Sequence, residues 1–247
     1  MRAMILAAGL GTRLRPLTDD RPKALVEING RSLLEITLAR LRDFGIRDVI
    51  VNVHHFADMV AEYLKANGNF GMRIEISREE VLLDTGGGLK KAAGFFLEQS
   101  ADESFLLHNV DVISNIDFER MLQAHQGGRA LATLAVQQRA SSRQLLFDDE
   151  SRLCGRKSEG AEAEMIRAAP RCYSLAFCGI HIIDRRMFSL LTEEGIFPVI
   201  PAYLRLAEQG ESVMGFRADE YYWRDVGNRE SLQQAATDLA TGAPGSL

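Results

Sequence analysis

Apolar residues along the chain fall into two alternating patterns. Residues 3–7 form a short unbroken apolar run closed by a glycine-rich turn, which suits a central parallel strand buried on both faces. Residues 33–44 then place Leu34, Leu38 and Leu41 at helical spacing behind Ser32 and Glu35, a capping box, and Gly45 ends the run. The cycle repeats. A strand over 48–53 leads to a helix over 57–66 that stops near Asn67 and Gly68. A strand over 72–76, a helix over 89–97, a strand over 105–110 and a helix over 118–125 follow. This alternation predicts an α/β fold with a doubly wound, mainly parallel sheet.

After Ala130 the pattern changes. Residues 130–136, 144–147 and 173–183 read as longer strands with little helix between them, an antiparallel or mixed extension of the same sheet. The polar stretch 149–169, with Gly155 and Gly160, reads as a hairpin plus an exposed, mobile loop. Closing elements are a helix over 199–208, strands over 212–216 and 222–225, and a helix from Asn228. No repeat, low-complexity segment or linker interrupts the series. A single domain over 1–247 is expected, with a frayed tail over 241–247.

Composition narrows the function classes. The 247 residues are 46% hydrophobic with a net charge of -5, so no basic footprint points to nucleic acid or an anionic membrane surface. An anionic ligand must be held by a few local cations and backbone amides. Cys154, Cys172 and Cys178 lack CxxC spacing and read as reduced thiols of a cytoplasmic protein. The opening apolar run meets Arg13 and Arg15 where a signal peptide would need its cleavage site, and no stretch approaches the roughly 20 residues that span a bilayer.

The strongest chemical signal is Leu6-Ala7-Ala8-Gly9-Leu10-Gly11-Thr12-Arg13-Leu14-Arg15-Pro16, followed by Arg21-Pro22-Lys23-Ala24-Leu25-Val26. A turn of Ala and Gly at a strand's C-terminal end lets backbone N–H groups approach phosphates closely, and Arg13, Arg15 and Lys23 add charge. It is neither a Walker loop nor a dinucleotide fingerprint, because Leu14 stands where the third glycine would be. Asp111 ends the strand over 105–110, at the sheet edge where α/β proteins bind ligands, and a carboxylate there suits Mg²⁺.

This combination, with Asp84-Thr85-Gly86-Gly87-Gly88 and the late Trp223-Arg224-Asp225-Val226-Gly227, resembles the sugar-1-phosphate nucleotidyltransferases. It looks most like their small N-acetylmuramate-1-phosphate uridylyltransferases. The resemblance implies a Rossmann-like nucleotidyltransferase fold and a Mg²⁺-dependent transfer from a nucleoside triphosphate, UTP favoured, to a sugar 1-phosphate. It implies that Leu6, Ala7, Ala8, Gly9, Gly11, Thr12 and Gly86 bind the nucleotide. Arg13 and Lys23 would neutralise its phosphates, with Asp111 also catalytic. Gly87, Asn109 and Gly179 would contact the sugar, and Asp111 and Asp225 would share the metal. Alternatives are a guanylyl-, thymidylyl- or cytidylyltransferase on another phosphorylated sugar or alcohol, or a catalytically silent regulatory subunit. No oligomeric state is implied. One departure is Val110, where many relatives carry glycine; valine resists a positive φ, which would alter the local backbone.

Other features are assigned plainer roles. His54 and His55, neighbours on a strand, would point to opposite faces and make a poor metal pair. His108 and His181 lie in apolar strands and read as core or pocket wall. Gly86–Gly88 would precede a helix whose N-terminal amides face an anion or the sugar. Asp84 and Glu80 would border the nucleoside pocket, and Lys90-Lys91 would be a solvated helix face. Residues 210–215 miss the GxSxG elbow by one position.

Overall fold

The computed structural model describes residues 1–98 and 103–242. Strand β1 (Arg2–Leu6) precedes the small hairpin of β2 (Glu27–Ile28) and β3 (Arg31–Ser32), then α1 (Leu33–Asp43), β4 (Asp48–Val53), α2 (Ala57–Ala66) and β5 (Arg73–Arg78). Next come α3 (Asp84–Lys91), α4 (Ala93–Leu97), β6 (Ser104–Asn109), β7 (Val112–Ser114), α5 (Phe118–Gly127), β8 (Ala132–Gln137) and β9 (Arg143–Phe147). The remainder holds β10 (Leu153–Ser158), β11 (Glu164–Met165), β12 (Tyr173–Asp184), α6 (Met187–Leu190), α7 (Val199–Glu208), β13 (Val213–Arg217), β14 (Trp223–Asp225) and α8 (Arg229–Ala240).

Among the described residues, ten strands form one sheet. Its parallel part runs β6-β1-β4-β5, so Asn109, Leu6, Val53 and Arg78 end on one edge. The expected mixed extension is present. Strand β12 pairs antiparallel with β6, β8 and β9, while β13 returns parallel to β8. Both faces are covered. Ala3 and Ile5 face a core shared with α1, α2 and α5, whereas Met4 packs with α3, α4 and α7. That explains why β1 is apolar without alternation.

Helix α1 follows its sequence signals closely. Ser32 Oγ accepts the N–H of Glu35 at 3.0 Å. At the other end Gly45 takes φ 91°, and the N–H groups of Gly45 and Ile46 bond back to Arg42 and Leu41. This is a Schellman stop. The capping box is only half made, because the Glu35 carboxylate accepts from Arg31 and Tyr63 instead.

Three expectations are corrected. The helix expected over 89–97 begins at Asp84 and is broken at Ala92, so Gly86, Gly87 and Gly88 lie inside it. A Cβ on Gly86 would stand 2.4 Å from the Phe197 ring, and one on Gly87 2.5 Å from the Gly195 carbonyl oxygen. These glycines allow close helix packing. The stretch 149–169 holds the expected hairpin, β10 on β9, but it is not wholly exposed, since β10 also pairs with the two-residue β11 and buries Leu153 and Cys154. His54 and His55 lie beyond β4, in the following turn, and His54 Nδ1 contacts the Glu79 carbonyl at 2.8 Å. Of the tail expected to fray, Thr241 still donates its N–H to Thr237, and residues 243–247 lie outside the described residues.

Candidate active site

The loop after β1 is built around Gly11. It takes φ 64°, and a Cβ there would meet Thr18 Cγ2 at 3.0 Å and Lys23 Cβ at 3.1 Å. Only glycine combines that conformation with that proximity. Leu14 pins the loop into the core, and the Ala7 N–H donates to Asn52 Oδ1 at 2.7 Å. Leu6, Ala7, Ala8, Gly9, Gly11, Thr12 and Arg13 thereby line a cleft of about 510 Å³, together with Lys23, Asn52, Glu79, Asn109 and Asp111.

Lys23 is buried beside Pro22, and its ammonium donates to Asp111 Oδ2. Asp111 follows β6 directly. Asp225 arrives from β14, which pairs antiparallel with β7 so that Asp225 faces Val112. The Val226 N–H then donates to the Asp111 carbonyl oxygen at 2.8 Å. Burial raises the carboxyl pKa of Asp225, and the charge of Asp111 raises it further; Lys23 and Arg13 pull it down. A Cβ on Gly227 would lie 2.6 Å from Asp225 Oδ1 and 2.7 Å from Arg13 Nη2, so both side chains flank that bare Cα. Val110 takes no positive φ, is buried, and donates its N–H to the Leu6 carbonyl at 3.1 Å.

A second cleft, of about 810 Å³, shares Arg13, Asp84, Thr85 and Asn109 with the first. Asp225, Gly179, Gln137, Arg139, Arg143, Arg156 and Lys157 line it. Gly179 takes φ 74° at a register shift in β12, and a Cβ would stand 2.8 Å from Asn109 Nδ2. The Arg139 guanidinium lies 3.8 Å from the Trp223 ring centroid. Trp223 Nε1 donates to the Cys178 carbonyl at 2.7 Å. Burial pushes the Cys178 thiol up to about 12, which leaves it unreactive.

Comparison with known proteins gives the family. Residues 2–145 fit the model of the nucleotidyl transferase family. The chain is 34% identical over 250 residues to an N-acetylmuramate alpha-1-phosphate uridylyltransferase of Caulobacter vibrioides, covering 96% of each. The chain belongs to the nucleotidyl transferase family. It is also 30% identical to a mannose-1-phosphate guanylyltransferase of Mycobacterium tuberculosis, of which it spans 65%. Among solved structures it resembles HddC from Yersinia pseudotuberculosis complexed with GMP-PN, at TM-score 0.77 and 19% identity over 96% of this chain and 98% of that one. The inositol-1-phosphate CTP transferase of T. maritima matches at TM-score 0.77 and 16% identity, covering 100% and 97%. At those identities the structural likeness speaks for the fold, a nucleotidyltransferase α/β sheet.

Within this nucleotidyl transferase, most of the expected residues line one or other of the two clefts, and Arg13 and Asn109 line both. Gly86 and Gly87 line neither. Their N–H groups donate to the Phe197 carbonyl at 2.9 and 3.1 Å, which leaves those amides committed to helix packing. Glu80 is exposed, whereas buried Glu79 lines the first cleft and accepts from Asn52 and Leu83. Lys90 is not simply solvated, since it bonds the Glu193 carbonyl and the Glu194 carboxylate. His108 is fully buried and held neutral, its pKa lowered to about 4 by desolvation. Asn52, Glu79, Arg139 and Arg143 were not singled out from sequence. Asn52 carried the one usable signal, an amide in an otherwise apolar strand.

Among the described residues, no group of three or more His, Cys, Asp or Glu side chains is placed to hold a metal. No helix among them is long and apolar enough to cross a membrane.

Proposed function

We propose that this enzyme transfers a uridylyl group from UTP to N-acetylmuramate 1-phosphate in the cytoplasm, with Mg²⁺, releasing pyrophosphate. The observation that carries the reading is the meeting of two clefts at Arg13 and Asn109, with the Lys23–Asp111 pair on the wall of the first and Asp225 on the wall of the second. The loop of residues 6–13, with Lys23, offers amides and charge to a triphosphate. The second cleft offers Arg139, Arg143, Arg156 and Lys157 to an acceptor that carries a carboxylate as well as a phosphate. The likeness to the Caulobacter uridylyltransferase over nearly the full chain supports this choice of base and sugar.

An oxygen of the sugar phosphate forms a bond to the α-phosphorus as the bond from that phosphorus to the pyrophosphate oxygen breaks. The nucleophile is already anionic, so no general base is required, and alignment with charge neutralisation lowers the barrier. Arg13 and Lys23 neutralise the triphosphate. Asp111 and Asp225 form an all-oxygen donor pair whose mutual repulsion a hard dication would relieve, and two carboxylates plus phosphate oxygens and waters suffice for Mg²⁺. Bound there, the ion would add positive charge at the reacting phosphates. Retention of Arg13, Lys23, Asp111 and Asp225 in one junction argues against a silent regulatory subunit. The test is pyrophosphate release across four triphosphates and several sugar 1-phosphates. Release with UTP and N-acetylmuramate 1-phosphate is expected. GTP with mannose 1-phosphate as the best pair would favour the guanylyl reading suggested by the Mycobacterium relative.

A further inference from the structure

His181 has a buried nitrogen that bonds nothing among the described residues. The residue lies on β12, is 0% exposed, and forms part of the wall of the second cleft with Phe177, Val199 and Ile200. Its Nδ1 is 2.9 Å from the hydroxyl of Tyr203 on α7. Its Nε2 is buried with no hydrogen-bond partner among the described residues. A buried polar atom left open costs stability unless something else satisfies it.

The bonding fixes which nitrogen carries the proton. Tyr203 is wholly buried, and desolvation raises its phenol pKa far above the ordinary range, so it keeps its hydrogen. Among the described residues, the hydrogen bond of that hydroxyl is to His181 Nδ1. Nδ1 therefore accepts, and the neutral ring carries its own proton on Nε2. Desolvation, with the neighbouring His108 adding to it, lowers the imidazole pKa to about 3, which keeps the ring neutral. One uncharged, unpartnered N–H donor thus lies just behind the apolar part of the cleft wall.

We infer that His181 Nε2–H, oriented by Tyr203, reads the acetamido group of the acceptor sugar. An acetamido group has a carbonyl oxygen to accept one N–H and a methyl to pack on Phe177, Val199 and Ile200. A ring hydroxyl would leave that apolar wall unfilled. A charged group would meet no compensating charge on the neutral ring. The inference rests on the acceptor reading above and adds the residue that selects an N-acetylated sugar.

The test compares two probes differing only in that group, N-acetylglucosamine 1-phosphate and glucose 1-phosphate, by calorimetric titration of the whole protein. The native protein should favour the N-acetylated probe, and His181→Phe should cut that preference about ten-fold. His181→Gln, which keeps an N–H donor, should restore part of it. Equal affinities in the native protein, or a preference untouched by His181→Phe, would overturn the inference. Nitrogen NMR of the unmutated protein covers the case of a variant that does not fold. The Nε2 signal should shift with N-acetylglucosamine 1-phosphate and stay with glucose 1-phosphate, and no difference between the probes would overturn it too. If no triphosphate and sugar phosphate pair released pyrophosphate, the broader reading would fall instead, whatever the His181 signal did.

Discussion

The backbone N–H of Val226 donates to the carbonyl oxygen of Asp111 at 2.8 Å. With the Asp225–Val112 register beside it, that bond draws two carboxylates from distant parts of the sequence into one junction. Their proximity is unfavourable by itself. Lys23 offsets part of it from a buried position, and Arg13 from across Gly227.

Repulsion at this junction makes stability depend on pH in a definite direction. Asp225 has a carboxyl pKa raised above the ordinary value of 3.8, by burial first and Asp111 second. A raised carboxyl favours the folded protein while protonated, so its contribution is complete below about pH 4 and is lost as pH rises through the folded value. In metal-free buffer Asp225→Asn should therefore gain melting temperature on the native protein as pH climbs from 4 to 7. Parallel melting curves for the two proteins across that range would refute the assignment.

Lys23→Ala should lower kcat/KM by about 10²-fold or more, as expected when a cation at the reacting phosphates is removed. The loss should also expose Asp111 and Asp225 to each other, so melting temperature should fall at pH 7 and recover toward pH 4. Unchanged turnover with a large fall in melting temperature at every pH would make Lys23 purely structural.

Gly86→Ala tests the correction to the glycine run. A Cβ would overlap the Phe197 ring at 2.4 Å, and overpacking of this kind costs about 1–3 kcal/mol. Denaturant unfolding should register that loss. A variant as stable as the native protein but weaker in nucleotide binding would return Gly86 to the binding loop.

Reversing charge on β10 should act on the acceptor alone. Arg156 and Lys157 line the second cleft and are absent from the first. Lys157→Glu should raise KM for N-acetylmuramate 1-phosphate severalfold, more at low salt than high, and leave KM for UTP unchanged. An equal rise for both substrates would remove β10 from the acceptor site.

Local features were legible in the sequence, and long-range ones were legible only through the family resemblance. Ser32 and Gly45 bracket α1 because caps are chemistry between near neighbours. Strand β14 is three residues long and could be paired with β7 by no local rule. The glycine run misled because composition suggests a ligand-facing helix entry, whereas Gly86 and Gly87 are confined by Phe197 and Gly195, more than a hundred positions away. Glu79 and Glu80 are adjacent and chemically alike. Only the fold buries one and exposes the other.

The double substitution cycle at Asp111 and Asp225 tests the central claim most directly. Asn preserves shape while removing one charge from each. Asp111→Asn and Asp225→Asn should each reduce kcat by about 10²-fold or more and raise the Mg²⁺ concentration needed for half-maximal rate. The double variant should be far less than multiplicatively worse, because two ligands of one ion act as a unit. Either single variant turning over at a near-normal rate with normal Mg²⁺ dependence would contradict the account.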